Sequence, residues 1–164
     1  MPDPDLPIAA HSLGNMKVIY IYADGRTVIL NGTHPYRDNN PGNLRYMGKD
    51  GEQRAKKAGA IGIDNTYAVY ANGAAGEAAL HAMIERETAA GKSLQKFLKK
   101  YAPPGENNFP AYLNAITTAL KAKSGDLLSD LSADQRAILA QTIMVQEGWR
   151  SRKSQFAAPV EGHR

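Results

Sequence analysis

Two runs of β-branched and aromatic residues, Val18-Ile19-Tyr20-Ile21-Tyr22 and Thr27-Val28-Ile29-Leu30, flank an Asp24-Gly25 turn. Such runs favour extended backbone and Asp-Gly suits a tight return, so the pattern predicts a β-hairpin. Leu44–Met47 and Tyr67–Tyr70 read as two further short strands, and the polar, glycine-rich Gly48–Asn65 between them as a mobile flap. The periodicity then becomes helical. Leu80, Met83, Ile84 and Glu87 share one helix face, and Gly91 supplies a stop. Ser93 can cap a second helix carrying Leu94, Phe97, Leu98 and Tyr101 on one side, ended by Pro103-Pro104. Asn108 can cap a third, with Tyr112, Leu113, Ile116, Ala119 and Leu120 turned inward and an end near Gly125. Ser132-Ala133-Asp134-Gln135 fits a capping box for a fourth, running to about Gln146.

Residues 1–16 read as a flexible arm, 17–150 as a single domain and 151–164 as a loose tail without periodicity. No internal repeat is visible. The expected fold is α+β, mostly helical, with a small β-hairpin portion at its N-terminal end.

The 164 residues are enough for one domain with a proper core, and a hydrophobic fraction of 43% is ordinary for a globular chain. No run reaches the roughly 18 apolar residues of a membrane span. Met1-Pro2-Asp3-Pro4-Asp5-Leu6-Pro7 is acidic and broken by prolines, unlike a signal peptide, so the expectation is a protein that starts in the cytoplasm. The absence of cysteine excludes disulfides and thiol nucleophiles. A formal charge of +4, with basic clusters at Arg54/Lys56/Lys57, Lys92/Lys96/Lys99/Lys100 and Arg150/Arg152/Lys153, suits either a polyanionic partner or plain solvated helix faces. Neither a phosphate loop nor zinc-finger spacing points to specific nucleic-acid binding.

The densest polar signal is Arg37-Asp38-Asn39-Asn40-Pro41-Gly42-Asn43-Leu44-Arg45-Tyr46. Asparagines that bond to nearby backbone and tolerate left-handed geometry, beside Pro and Gly, make a rigid loop suited to a hydroxyl- or amide-rich ligand; an ordinary tight turn is the simpler reading. This run resembles the Asn-Asn-Pro-Gly-Asn proteins of phage particles and type VI secretion toxin clusters. The resemblance continues in order through Gly59-Ala60-Ile61-Gly62, Tyr67-Ala68-Val69-Tyr70, Tyr101-Ala102-Pro103-Pro104-Gly105-Glu106-Asn107 and Glu147-Gly148-Trp149, spanning most of residues 18–149. One position departs: the family pattern has three asparagines after the arginine, whereas this chain has Asp38 first. The resemblance implies a lysozyme-like domain acting on peptidoglycan. It also implies delivery without a signal peptide by phage or secretion machinery, action in the periplasm or cell wall of a target bacterium, and a small immunity protein as partner.

Glu147 is the leading candidate for chemistry. Ile143, Ala140 and Leu139 precede it at same-face spacings, and Trp149 follows. Apolar surroundings and a helix C-terminus disfavour a charged carboxyl, which suits a proton donor to a glycosidic oxygen. The plain alternative is an exposed glutamate at a fraying helix end. Glu-Gly-Trp is similar to the Glu-Ser-Gly-Trp of flagellar-type glucosaminidases, in which the glutamate is the acid. There the glutamate helix precedes the hairpin; here Asn43-Leu44 and Tyr67–Tyr70 come first, as in a circular permutation.

Asp64, Glu106 and Asp38 are candidates for a second carboxylate, which a lytic transglycosylase does not need. Expected substrate contacts are Asp38, Asn40, Asn43, Arg45, Tyr70, Asn107, Tyr112 and Trp149, although the tyrosines equally suit a core. His11, His34, His81 and His163 show no ligand-spaced pair, so neither a metal nor a cofactor is expected. The expected activity is cleavage of the glycan strand, of muramidase, lytic transglycosylase or glucosaminidase type. The alternatives are a non-catalytic peptidoglycan-binding or virion module, and a nucleic-acid binder driven by charge.

Overall fold

The computed structural model describes residues 3–102, 105 and 108–149; Glu106, Asn107 and the tail at 151–164 lie outside the described residues. The chain forms two compact units, Met1–Leu80 with Glu147–Arg164 and His81–Gln146. The architecture is α+β, with helices predominating.

The first unit opens with three antiparallel strands in the order β1 (Ala9–Gly14), β2 (Lys17–Ile21) and β3 (Thr27–Asn31). Val18 pairs with Leu30 and Tyr20 with Val28, placing alternate residues of β2 on the inner face. Ala10, Val18, Tyr20 and Leu30 pack there with Val69. The expected hairpin is present, but the segment read as an arm supplies a third strand. Ala10 faces that core, and its N–H donates to the Ile61 carbonyl at 3.1 Å. Polar Asn15 and Gly14 between the strands masked this pairing in the sequence pattern.

After β3 the one-turn helix α1 (His34–Arg37) carries the chain into the Asn-rich loop, with Pro35 pre-set for its first turn. Leu44–Met47 is not a strand; only Arg45 pairs as a bridge, with Tyr67. The side chain of Asn40 bonds both the N–H and the carbonyl of Leu44, and that carbonyl also accepts from Ala68 N. The stretch read as a flap is built structure, holding α2 (Gly51–Lys57) and β4 (Gly62–Asp64), which pairs with β5 (Tyr67–Val69). Ala55 of α2 is fully buried, so this segment contributes to the packing of the unit.

Helix α3 (Gly73–Ala89) runs out of the first unit into the second, and Gly91, with a positive φ of 74°, ends it as expected. The second unit adds α4 (Leu94–Tyr101), α5 (Phe109–Leu120), a short turn at Leu128–Asp130 and α6 (Ala133–Gln146). The predicted caps form: Ser93 Oγ accepts from Lys96 N, and Asn108 Oδ1 from Ala111 N. Ser132 and Gln135 bond reciprocally, at 2.9 and 3.0 Å. Helix α5 stops at Leu120 and not near Gly125. Lys121 takes the left-handed conformation, and in the following loop the Asp126 and Ser124 carbonyls accept from the N–H groups of Leu94 and Gln95 at the start of α4. Among the described residues, no helix is long and apolar enough to cross a membrane.

Candidate functional site

The Asn-rich run of the first unit is mostly interior. Arg37, Asp38, Asn39 and Asn40 are all buried, the last at 0% exposure. Asn39 takes φ 51°, which its short side chain tolerates, and donates Nδ2 to the Tyr70 carbonyl at 3.1 Å. Asn40 donates to the carbonyls of Leu44 and Ala68 and accepts from Leu44 N, so both ends of its amide are engaged. These amides replace ladder bonds that the irregular chain cannot make for itself. Asn40 is therefore a loop-builder and its amide is not available to a ligand. Helix α3 lies so close that a methyl on Gly76 would overlap the Asn39 carbonyl and crowd Pro41.

Beneath the loop is a buried polar cluster. Arg37 Nε donates to Asp64 Oδ2 at 2.7 Å and Nη1 to the Gly32 carbonyl, while the Tyr20 hydroxyl donates to the carbonyl of Arg37. Arg37 Nη2 lies 3.1 Å from His34 Nε2; a guanidinium can only donate, so Nε2 is the bare nitrogen and the proton sits on Nδ1. That Nδ1 faces Asp38 Oδ2 at 2.8 Å and Asp64 Oδ2 at 3.4 Å. Burial, the neighbouring Asp64 charge and the hydrogen bond between the two push the Asp38 carboxyl up to about 10, against the pull of Arg37. Burial acts upward on Asp64 as well, but hydrogen bonds from Ser12, Arg37 and Asp38 outweigh it and hold that group below its ordinary range. Burial, then Arg37, keeps His34 neutral by lowering its value. The cluster thus contains one ion pair, Arg37 with Asp64, and a neutral acid at Asp38.

No metal was expected, yet His34, Asp38 and Asp64 bring ligand atoms within 4.8 Å of one another. The donor set fits a divalent ion poorly. The Arg37 guanidinium already occupies Asp64 Oδ2, and its charge sits among the same three side chains. A proton shared between Asp38 and Asp64, with the guanidinium on Asp64, holds the cluster together, although Asp38 Oδ1 is buried without a hydrogen-bond partner among the described residues.

The second feature joins two of the residues singled out in the sequence. Asn43, at φ 54°, donates Nδ2 to Glu147 Oε1 at 3.1 Å, across 104 positions of chain. Glu147 is half-buried where the chain leaves α6, and Leu139, Ala140 and Ile143 of the predicted stripe are buried. Trp149, also half-buried, lies over the start of α3, where a methyl on Gly73 would meet its ring at 3.0 Å.

The remaining predicted residues divide clearly. Arg45 is exposed, its guanidinium 5.2 Å from the Tyr67 ring centre, and Tyr67 in turn lies 4.0 Å from the His34 ring. Tyr70 is wholly buried, and its N–H donates to the Asp38 carbonyl, so its ring belongs to the core. Tyr112 is buried in the second unit. Asp38 and Asp64 are locked in the cluster; Glu106 and Asn107 lie outside the described residues. Sequence reasoning overlooked His34 and Arg37, although His34 and Asp38 stand at helical i,i+4 spacing. Comparison with protein-family models gives no match, and comparison with curated proteins gives none either.

Proposed function

We propose that this protein cleaves the glycan strand of bacterial peptidoglycan, with Glu147 as the proton donor. The observation that carries the reading is the Asn43–Glu147 hydrogen bond: the asparagine-rich run and the Glu-Gly-Trp segment, far apart in sequence, meet at a half-buried carboxyl two residues before Trp149. A carboxyl partly withdrawn from water is suited to protonating a glycosidic oxygen, the Asn43 amide fixes where it stands, and Trp149 offers an aromatic face for a sugar ring. Asp38 and Asp64 are committed to the buried cluster, so the reading that fits the described residues uses one carboxylate. Glu147 protonates the leaving oxygen as the C1–O bond breaks. A hydroxyl of the same sugar then attacks C1 and returns its proton to Glu147, as in a lytic transglycosylase.

The sequence resemblance supports delivery by phage or secretion machinery and a cognate immunity protein. The non-catalytic binding alternative relied on the whole Asn-rich loop; burial of Asp38, Asn39 and Asn40 leaves it little polar surface there. Incubating the protein with purified sacculi and identifying released fragments by mass spectrometry tests the proposal. Soluble fragments with anhydro ends are expected; binding without release would favour the non-catalytic reading.

A further inference from the structure

Asn43 differs from its neighbour Asn40 in one respect that bears on Glu147. The Asn40 amide is held at both ends by backbone groups, so its orientation is fixed. In Asn43, Nδ2 faces Glu147 Oε1, while Oδ1 is buried and has no hydrogen-bond partner. Among the described residues, nothing at the far end therefore ties the amide to one orientation. The backbone, by contrast, is well fixed: Asn43 N donates to the Asn40 carbonyl at 2.9 Å, and the next residue is anchored by Asn40. A half-turn about the last side-chain bond exchanges the NH₂ and C=O ends at nearly the same positions, and the two ends have opposite hydrogen-bonding character.

We propose that Asn43 is a positioning residue for Glu147, its amide turning over with the carboxyl's proton. It presents NH₂ to the carboxylate and its carbonyl oxygen to the protonated acid. Glu147 must be an acid before bond cleavage and a carboxylate after it; an NH₂ group facing it favours the carboxylate, whereas a carbonyl oxygen accepts from the protonated acid. The turning amide holds the carboxyl in the same place in both. This role rests on the functional reading above, but its structural half can be measured without any activity.

The direct test is NMR of the full-length protein with nitrogen-labelled side-chain amides. The Asn43 NH₂ signals should move with pH as Glu147 titrates, and that dependence should vanish in Glu147→Gln. Asn43 signals indifferent both to pH through the carboxylate range and to Glu147→Gln would overturn the proposal. The activity arm uses Asn43→Gly, because glycine adopts the left-handed backbone freely and removes the side chain without straining the loop. On soluble glycan strands, kcat should fall by about 10–100-fold with KM little changed, the scale of a lost positioning contact. A raised KM at unchanged kcat would make Asn43 a substrate contact instead and also overturn the proposal. If the wild-type protein releases no fragments, the functional reading fails while the NMR measurement still decides this one.

Discussion

Arg37 Nε lies 2.7 Å from Asp64 Oδ2, and this buried ion pair fastens helix α1 to strand β4. The same arginine reaches His34, the Gly32 carbonyl and, through its own carbonyl, the Tyr20 hydroxyl of the sheet. One residue, through its side chain and its backbone carbonyl, thus joins the sheet, the Asn-rich loop and the β4–β5 hairpin, the elements that set where Asn43 stands.

Removing that cation should be costly. Arg37→Met keeps much of the volume but strands the Asp64 carboxylate in the interior. Breaking a buried pair in this way typically costs about 3–5 kcal/mol. Denaturant unfolding of the variant should show a loss of that order, and a change below about 0.5 kcal/mol, usual for surface positions, would contradict the cluster's role.

Asp38 predicts a pH dependence of opposite sign to an ordinary paired carboxylate. Its folded value is raised from 3.8 to about 10, so its contribution is complete below 3.8 and is lost as pH rises toward 10. Asp64, held low, contributes above 3.8 and loses that contribution in acid, and the lowered His34 loses its contribution as pH falls below 6.5. Between about pH 6.5 and 10, Asp38 is therefore the member of this cluster that drives the loss. Asp38→Asn retains one donor and one acceptor without the proton, and asparagine is the residue that the resembled family pattern has there. Thermal melts should show the wild type declining more steeply than Asp38→Asn across that window; equal declines would contradict the assignment.

Much of the fold was legible because it rests on local chemistry. The hairpin, the three predicted caps and the stop at Gly91 each depend on residues within a few positions of one another. What was missed depends on distant partners. Strand β1 exists because Ala10 finds Tyr20 and Ile61, and the apparent flap is ordered because Ala55 has a core to enter. At the candidate site, Glu147 was singled out from its stripe and Trp149, and the structure shows it half-buried. The asparagines, polar by type, gave no sign that Asn39 and Asn40 would turn inward to bond backbone while Asn43 would reach Glu147.

Gly76 tests how closely α3 must approach the loop. A β-carbon there would overlap the Asn39 carbonyl and press on Pro41, so the helix or the loop must shift. Gly76→Ala should destabilise by about 1–3 kcal/mol, despite the better helix propensity of alanine. Unfolding measurements showing a net gain would mean that the loop yields freely.

If the protein acts on peptidoglycan, its effect should depend on compartment. Expression in the bacterial cytoplasm should leave growth unaffected, while the same chain carrying an export signal should cause lysis. Equal toxicity from both compartments would point to a cytoplasmic target and revive the nucleic-acid reading.

The central claim is that Glu147 delivers the proton. Glu147→Gln preserves size and can still meet the Asn43 amide, which can turn its carbonyl toward the new NH₂. Fold and thermal stability should therefore be retained. The decisive measurement is the rate at which this variant releases soluble fragments from purified sacculi, beside the wild type at equal concentration. General acid catalysis contributes at least about 10²-fold, so the rate should fall by that factor or more. Release at the wild-type rate by a folded Glu147→Gln would contradict the account.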